Sequence, residues 1–204
     1  MIYICDDFFS DPYSLRSFAI KQEYSIAREN YPGSRSQSVP ESVVKYIEDE
    51  AKNVTKNSSL KCTEISFQSV PKDYREGQYH YDEELYVSVV FLSMDPPPNS
   101  GIEVYDSESK EGSANMPPDY ITESRYYNFL SVKENFYKDT TNFLKGYKYA
   151  RMTKRMNSYF DPSVKIPNKF NRFVIFNCRQ WHRAQNFFGT SIGNSRLTLV
   201  SFFK

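Results

Sequence analysis

Hydrophobic and polar positions follow two periods along the chain, and the change between them divides it. Ile2-Tyr3-Ile4-Cys5 is a short apolar run that predicts a strand. From Pro12, with Ser10 or Asp11 placed to cap it, a helical stripe of Tyr13, Leu15, Phe18, Ala19 and Ile20 runs to about Glu23. Tyr31-Pro32-Gly33-Ser34-Arg35 reads as a turn. Pro40 and Glu41 open a second helix, with Val43, Val44, Ile47 and Ala51 on one face. Both helices are expected on the outside of a sheet.

From Leu60 the period becomes strand-like. Cys62, Ile65, Phe67 and Val70 predict a strand ending at Pro71, and the polar turn Asp73 to Gln78 leads into a strand at His80. Tyr86 to Leu92 is strongly β-prone and reads as central. The prolines between Asp95 and Gly101 force a loop before the strand Ile102 to Tyr105. Phe170 to Phe176 is a further strand, with His182 beyond its end. The alternation in Arg196 to Phe203 marks a strand with two distinct faces. On that strand Arg196 and Thr198 share a face and Ser201 does not. Many strands preceded by short helices predict a mainly β fold with flanking helices (α+β), of the double-stranded β-helix type (jelly roll, cupin-like). Asp106 to Pro167 is the least legible part. It reads as an insertion between strands, with helical segments expected at Tyr120–Leu130 and Asn135–Leu144, and its aromatic content points to an ordered flap.

Composition narrows this picture. The 204 residues hold no Pro/Gly/Ser linker, so residues 1–204 are expected to form one domain. A net charge of +1, from 26 basic and 25 acidic residues, leaves no electrostatic footprint for nucleic acid or an anionic membrane. The basic group Lys148, Arg151, Lys154 and Arg155 reads as a solvated face, with an acidic substrate group as the other reading. No apolar run nears the ~20 residues of a membrane span, and Met1 to Lys21 lacks a signal-peptide pattern; a cytoplasmic location is expected. Cys5, Cys62 and Cys178 lack metal-like spacing and read as buried thiols. The 17 tyrosines and 16 phenylalanines point to an aromatic core more simply than to a stacking surface.

The candidate chemistry lies in the chain's two histidines. On a strand, His80 and Asp82 point to one face, and His182 can reach the same point from a facing strand. Two histidines and one carboxylate on one face of an octahedron are the facial triad of non-haem iron sites, which leaves coordination positions open. Neutral imidazoles and an ionised Asp82 meet the metal's needs. A cosubstrate with a distal carboxylate needs a fixed cation. Arg196 offers a planar fork for it, and Thr198 adds a hydroxyl from the same face. Bland readings stand beside these: His80 as a surface histidine by an acidic loop, His182 as a satisfied neighbour of Trp181, and Arg196 in a salt bridge with Glu64 or Glu103.

At these residues the chain resembles the 2-oxoglutarate/Fe(II)-dependent oxygenases, in particular the prolyl-4-hydroxylase-like branch and its bacterial and phage relatives. The matching stretches are His80-Tyr81-Asp82, Val87–Leu92, Ser100–Tyr105, Asn171–Phe176, His182, and Arg196-Leu197-Thr198 running into Phe202-Phe203. Tyr31–Arg35 and Asp6-Asp7-Phe8-Phe9 are similar more weakly. The resemblance implies Fe(II) held by His80, Asp82 and His182, and 2-oxoglutarate held by Arg196 and Thr198. O2 would be the cosubstrate and ascorbate an optional reductant. It implies hydroxylation of a peptide or small molecule with release of succinate and CO2, in the cytoplasm (the host's, for a phage-encoded protein).

Two departures bear on this. Relatives often carry a cosubstrate-binding tyrosine where this chain has Phe91, so Tyr79 or Tyr86 is expected to substitute, or the contact is absent. The insertion has no counterpart, so the resemblance does not carry the substrate over. Asp82 argues against the related halogenases, which keep a small residue there. A cupin-like binding or structural module, with another metal or none, is the rival reading. A nucleic-acid demethylase is disfavoured by the balanced charge.

Overall fold

The computed structural model describes all residues except 27–30, 106–122 and 161–163. In chain order the elements are β1 (Ile2–Cys5), α1 (Pro12–Ile20), β2 (Tyr24–Ser25), β3 (Ser34–Ser36), α2 (Glu41–Thr55), β4 (Cys62–Val70), β5 (Tyr86–Phe91), β6 (Ile102–Val104), α3 (Glu123–Tyr137), α4 (Phe143–Asn157), β7 (Val164–Ile166), β8 (Phe173–Asn177), β9 (His182–Ala184) and β10 (Arg196–Phe203). Their strands form a seven-stranded antiparallel sheet, in the order β1-β8-β5-β10-β4-β3-β2, and a three-stranded one, β7-β6-β9. The fold is thus mainly antiparallel sheet with flanking helices. Among the described residues no helix is long and apolar enough to cross a membrane.

Alternation along the central strands assigns the faces. In β10, Leu197, Leu199 and Phe203 join a core with Phe67, Val90, Phe173 and Ile175, covered by Leu15 and Ala19 of α1 and Ile47 and Ala51 of α2. The opposite face carries Val87, Val89, Phe91, Val174, Phe176 and Val200, which pack on Ile102, Val104 and Ile166 of the small sheet. Burying such apolar side chains stabilises by roughly 1.5–3 kcal/mol each, so both contacts are substantial. A third, aromatic cluster lies beyond the small sheet. There Phe129, Val132 and Phe136 of α3 and Tyr149 and Met156 of α4 meet Tyr79, Trp181 and Phe187.

Local chemistry sets several element ends. Asp11 accepts a hydrogen bond from the Ser14 amide and Pro12 occupies the first turn, which starts α1. Gly33, at φ 78°, lets β3 lie against β4, where a Cβ would sit 2.0 Å from the Ser69 carbonyl oxygen.

The insertion departs from expectation. Asn135–Leu144, predicted helical, is broken between α3 and α4, because short polar side chains compete there with the helix backbone. Asp139 accepts from the Thr141 hydroxyl, and Asn142 caps α4 through the Lys145 amide. Of the other predicted helix, residues 120–122 lie outside the described residues, as do 106–119 and 161–163 of the insertion. The insertion ends in a strand, β7, that its sequence does not announce. The strand expected at His80 is a single bridge to His182. Of the three thiols only Cys178 is buried; Cys5 and Cys62 are half-exposed.

Candidate metal centre and cavity

The segment Gly77 to Asp82 runs beside β9 and extends the small sheet by backbone bonds. The His80 amide donates to the His182 carbonyl at 3.0 Å, the His182 amide to the His80 carbonyl at 2.8 Å, and the Gly77 amide to Ala184 at 3.2 Å. Gly77 permits this approach, since a Cβ there would lie 2.3 Å from the Ala184 carbonyl oxygen. Asn157, at the end of α4, clamps the same segment. Its side chain accepts from the Tyr79 amide and donates to the Gly77 carbonyl, each at 3.1 Å.

Directly paired residues of an antiparallel ladder project their side chains on one face. The His80 and His182 rings therefore meet, with centroids 4.4 Å apart. Asp82 Oδ2 lies 3.3 Å from His182 Nε2 and 4.0 Å from His80 Nε2. One ligand atom from each residue lies within 4.8 Å of the others. Each Nδ1 faces the carbonyl oxygen two residues before it, Gln78 at 3.0 Å and Gln180 at 2.8 Å. A carbonyl only accepts, so each Nδ1 carries the proton and each Nε2 lone pair is left toward the centre. This is the orienting contact that metal-bound histidines use.

The electrostatics agree with that protonation pattern. Burial, reinforced by the neighbouring His182, pushes His80 down to about 4. Burial alone would raise Asp82, but the adjoining His182 and His80 rings and the Arg35 guanidinium favour its ionised form and hold it at about 2. Neutral His80 and ionised Asp82 are the forms that bind a cation.

The three side chains line a cavity of about 450 Å³ that also receives Arg196, Arg35 and Lys133. Arg196 is 3% exposed, and its Nε has no hydrogen-bond partner. Its nearest aromatic contact is the Phe91 ring, 5.5 Å away, and burial pushes its pKa down to about 10. The salt bridges that offered a bland account of Arg196 are taken. Glu64 pairs with Arg35, and Glu103 pairs with Arg183 at 2.5 Å. A buried guanidinium without an anion is costly, and among the described residues none pairs with Arg196. Thr198 is fully buried on the same face of β10, paired with Phe91, and its hydroxyl also lacks a partner.

Two expectations are corrected. Tyr79 turns away from the cavity: its hydroxyl donates to Glu103 at 3.1 Å and its ring stacks on Phe160 at 4.3 Å. Tyr86 packs into the core under α1 and α2. Neither reaches the cavity: Glu103 and Phe160 hold Tyr79 away, and Tyr86 is one residue out of phase with Val87, which does line it.

Sequence reasoning missed the wall contributed by α3. Tyr126, Leu130, Lys133 and Tyr137 all face the cavity. They fall at i, i+4, i+7 and i+11, one helical face. A lysine within an otherwise apolar stripe was the available signal.

A family model described as "Family of unknown function (DUF6445)" matches residues 1–203. The chain belongs to this family. No curated protein matches it. Among solved structures, an oxidoreductase of the 2OG-Fe(II) oxygenase family from Burkholderia pseudomallei is similar with TM-score 0.54 at 11% identity, over 100% of this chain and 84% of that one. The non-heme alpha ketoglutarate dependent carbocyclase SnoK from nogalamycin biosynthesis gives TM-score 0.59 at 15% identity, over 99% and 78%. AviO1 from Streptomyces viridochromogenes gives 0.55 at 12%, over 99% and 88%. At such identities the likeness shows the fold: this DUF6445 chain is built like the 2OG-Fe(II) oxygenases, with a candidate His-Asp-His metal site.

Proposed function

We propose that the chain is an Fe(II)- and 2-oxoglutarate-dependent dioxygenase on a double-stranded β-helix, formed as one domain with an insertion. It hydroxylates a peptidyl or small-molecule substrate and releases succinate and CO2. The observation that carries this reading is the pairing, in one cavity, of the His80–Asp82–His182 cluster with a buried Arg196 that no carboxylate among the described residues neutralises.

The donor set fits ferrous iron: two neutral imidazole nitrogens and one carboxylate oxygen, on one side, with the rest of the coordination sphere free for cosubstrate and O2. Bound there, iron and 2-oxoglutarate supply the oxidising chemistry. The chain's own part is placement. Gln78 and Gln180 fix the imidazole tautomers, and Asn157 holds the ligand segment in line. Arg196 receives the distal carboxylate of 2-oxoglutarate, with the Thr198 hydroxyl as a second donor, and the walls of α3 restrict water. A cupin-like binding module would explain the sheets and the histidines, but it gives no reason to bury an unpaired guanidinium beside them.

Anaerobic Fe(II) titration followed by a succinate-release assay tests the reading. Wild-type protein is expected to bind iron and release succinate, and His80→Ala to do neither. Succinate release undiminished in His80→Ala would overturn it.

A further inference from the structure

The cavity holds more positive charge than the proposed cosubstrate can neutralise. Most charged groups that reach it are paired within the protein. Arg35 bonds to Glu64, Arg183 lies 2.5 Å from Glu103 and 3.3 Å from Glu76, and Glu84 lies 3.5 Å from Lys204. Two cations have no ion pair among the described residues, Arg196 on β10 and Lys133 on α3. Lys133 reaches the cavity from the helical wall, and the contact recorded for its ammonium is the Tyr137 ring, 5.8 Å away.

These two cations do not share one role. On the oxygenase reading, the double charge of ferrous iron and the single charge of Arg196 are matched by Asp82 and the two carboxylates of 2-oxoglutarate. That set is neutral, and Lys133 is left over. Lys133 nonetheless stands in the field of the metal-binding groups. Burial lowers the Lys133 pKa, the Asp82 carboxylate opposes that, and the Lys133 charge in turn disfavours protonation of His80. A half-buried ammonium is maintained here, in a helical stripe whose other members are Tyr126, Leu130 and Tyr137. Unneutralised charge in such a place is unfavourable unless an anion joins it.

We propose that the substrate of this site carries an anionic group, a carboxylate in its simplest form, and that Lys133 holds it beside the His80–Asp82–His182 cluster. The assignment rests on the oxygenase reading for its charge balance. The flanking Tyr81, Tyr126 and Leu130 suit an organic acid with an apolar or aromatic body more than a bare inorganic anion. Lys133 then sets which end of the substrate faces the wall and which carbon faces the metal. It is a specificity residue and takes no part in the oxidation.

The chain's single tryptophan gives a readout that needs no turnover. Trp181 lies 5.2 Å from the Tyr81 ring and 6.0 Å from Tyr126, both on the cavity wall. Its fluorescence can follow phenylacetate and propionate, each against its neutral amide, with Mn(II) and 2-oxoglutarate filling the neighbouring positions. Wild type is expected to bind at least one acid about tenfold more tightly than its amide, as a charge-assisted hydrogen bond gives. Lys133→Gln should bring that ratio to about one, Lys133→Arg should keep most of it, and Lys45→Gln, at an exposed lysine of α2 outside the cavity, should leave it intact. The proposal is overturned if no acid is preferred by wild type, if Lys133→Gln keeps the preference, or if Lys45→Gln removes it. Mn(II) binding is scored separately: a Lys133-dependent preference in protein that binds no Mn(II) would keep the anion site and remove the oxygenase.

Discussion

The same strands of the seven-stranded sheet build two faces of opposite character. Toward α1 and α2 the sheet presents Phe67, Val90, Phe173, Leu197, Leu199 and Phe203, each essentially without solvent exposure. Toward the small sheet, β10 presents Arg196 and Thr198, whose Nε and Oγ1 have no hydrogen-bond partners, before Val200 and Phe202. The first face leaves two hydroxyls, Ser88 and Ser201, without partners, whereas the second buries a cation, Arg196, with no ion pair among the described residues. Substitutions on the first face should therefore change stability and spare binding, and those on the second should do the reverse.

The sharpest form of that contrast is Asp82→Ala. Removing the only carboxylate of the cluster should lower divalent-metal affinity by at least about 100-fold, since even outer contacts to metal ligands are worth 10–100-fold. The metal-free protein should unfold at a slightly lower urea midpoint, because a carboxylate whose pKa the fold depresses contributes stability at neutral pH. A metal titration by calorimetry and a urea curve check the two halves. Metal affinity within a few-fold of wild type would move the binding site elsewhere.

Phe67→Ala is the counterpart on the helix-covered face. It should cost about 3–5 kcal/mol of stability, as large-to-small core changes do, while metal affinity in the folded fraction stays near wild type. A loss of metal affinity comparable to that of Asp82→Ala would mean that the two faces are not separable.

The legibility of the chain follows the same division. Strands are readable where one face is mainly apolar, as in β5 and β10, because burial on both sides of the sheet enforces the alternation. The meeting of His80, Asp82 and His182 followed from the parity of His80 and Asp82 on extended backbone and from the ladder position of His182. Parity also contained the error over Tyr86, which differs by one from Val87 and lies on the helix-covered face; Tyr79 is instead turned by its contacts with Glu103 and Phe160. The insertion resisted for another reason. Its helices are positioned by long-range aromatic contacts, such as Phe136 on Tyr149 at 4.7 Å, and by the Asn157 clamp on Gly77 and Tyr79. A single chain offers no local signal for these, so Lys133 went unnoticed within its stripe.

Arg196→Met tests whether the inner face gives up stability for binding. The substitution keeps length and apolar volume and removes a buried, unpaired charge. Unfolding free energy should rise, by about 1 kcal/mol or more. 2-Oxoglutarate affinity should fall by on the order of 2–5 kcal/mol, the range for losing one partner of a buried charge pair. Urea unfolding and isothermal titration on the same preparation measure both. A destabilised variant with full 2-oxoglutarate affinity would make Arg196 a structural residue.

At the small end of the scale lies a charge cluster far from either face's core. Asp6, just after β1, accepts from Arg172 Nε at 2.6 Å and Nη2 at 3.0 Å and from Lys169 Nζ at 2.8 Å, which ties the strand's end to the approach to β8. The Arg172 and Lys169 hydrogen bonds hold the Asp6 carboxyl well below the usual carboxylate range. A depressed folded-state pKa means that the stabilisation is fully present above the unfolded value, near pH 4, and is lost as pH falls through the folded value. The cluster is partly exposed, with 35% of the Asp6 side chain open to solvent, so screening limits it to about 0.5–1 kcal/mol. Asp6→Asn should therefore lower the urea midpoint slightly at pH 7, and the gap between variant and wild type should close as pH is taken from 5 toward 2. Metal and 2-oxoglutarate binding at pH 7 should not change. A gap that stays constant across that pH range would show that Asp6 acts through hydrogen-bond geometry alone, not through its charge.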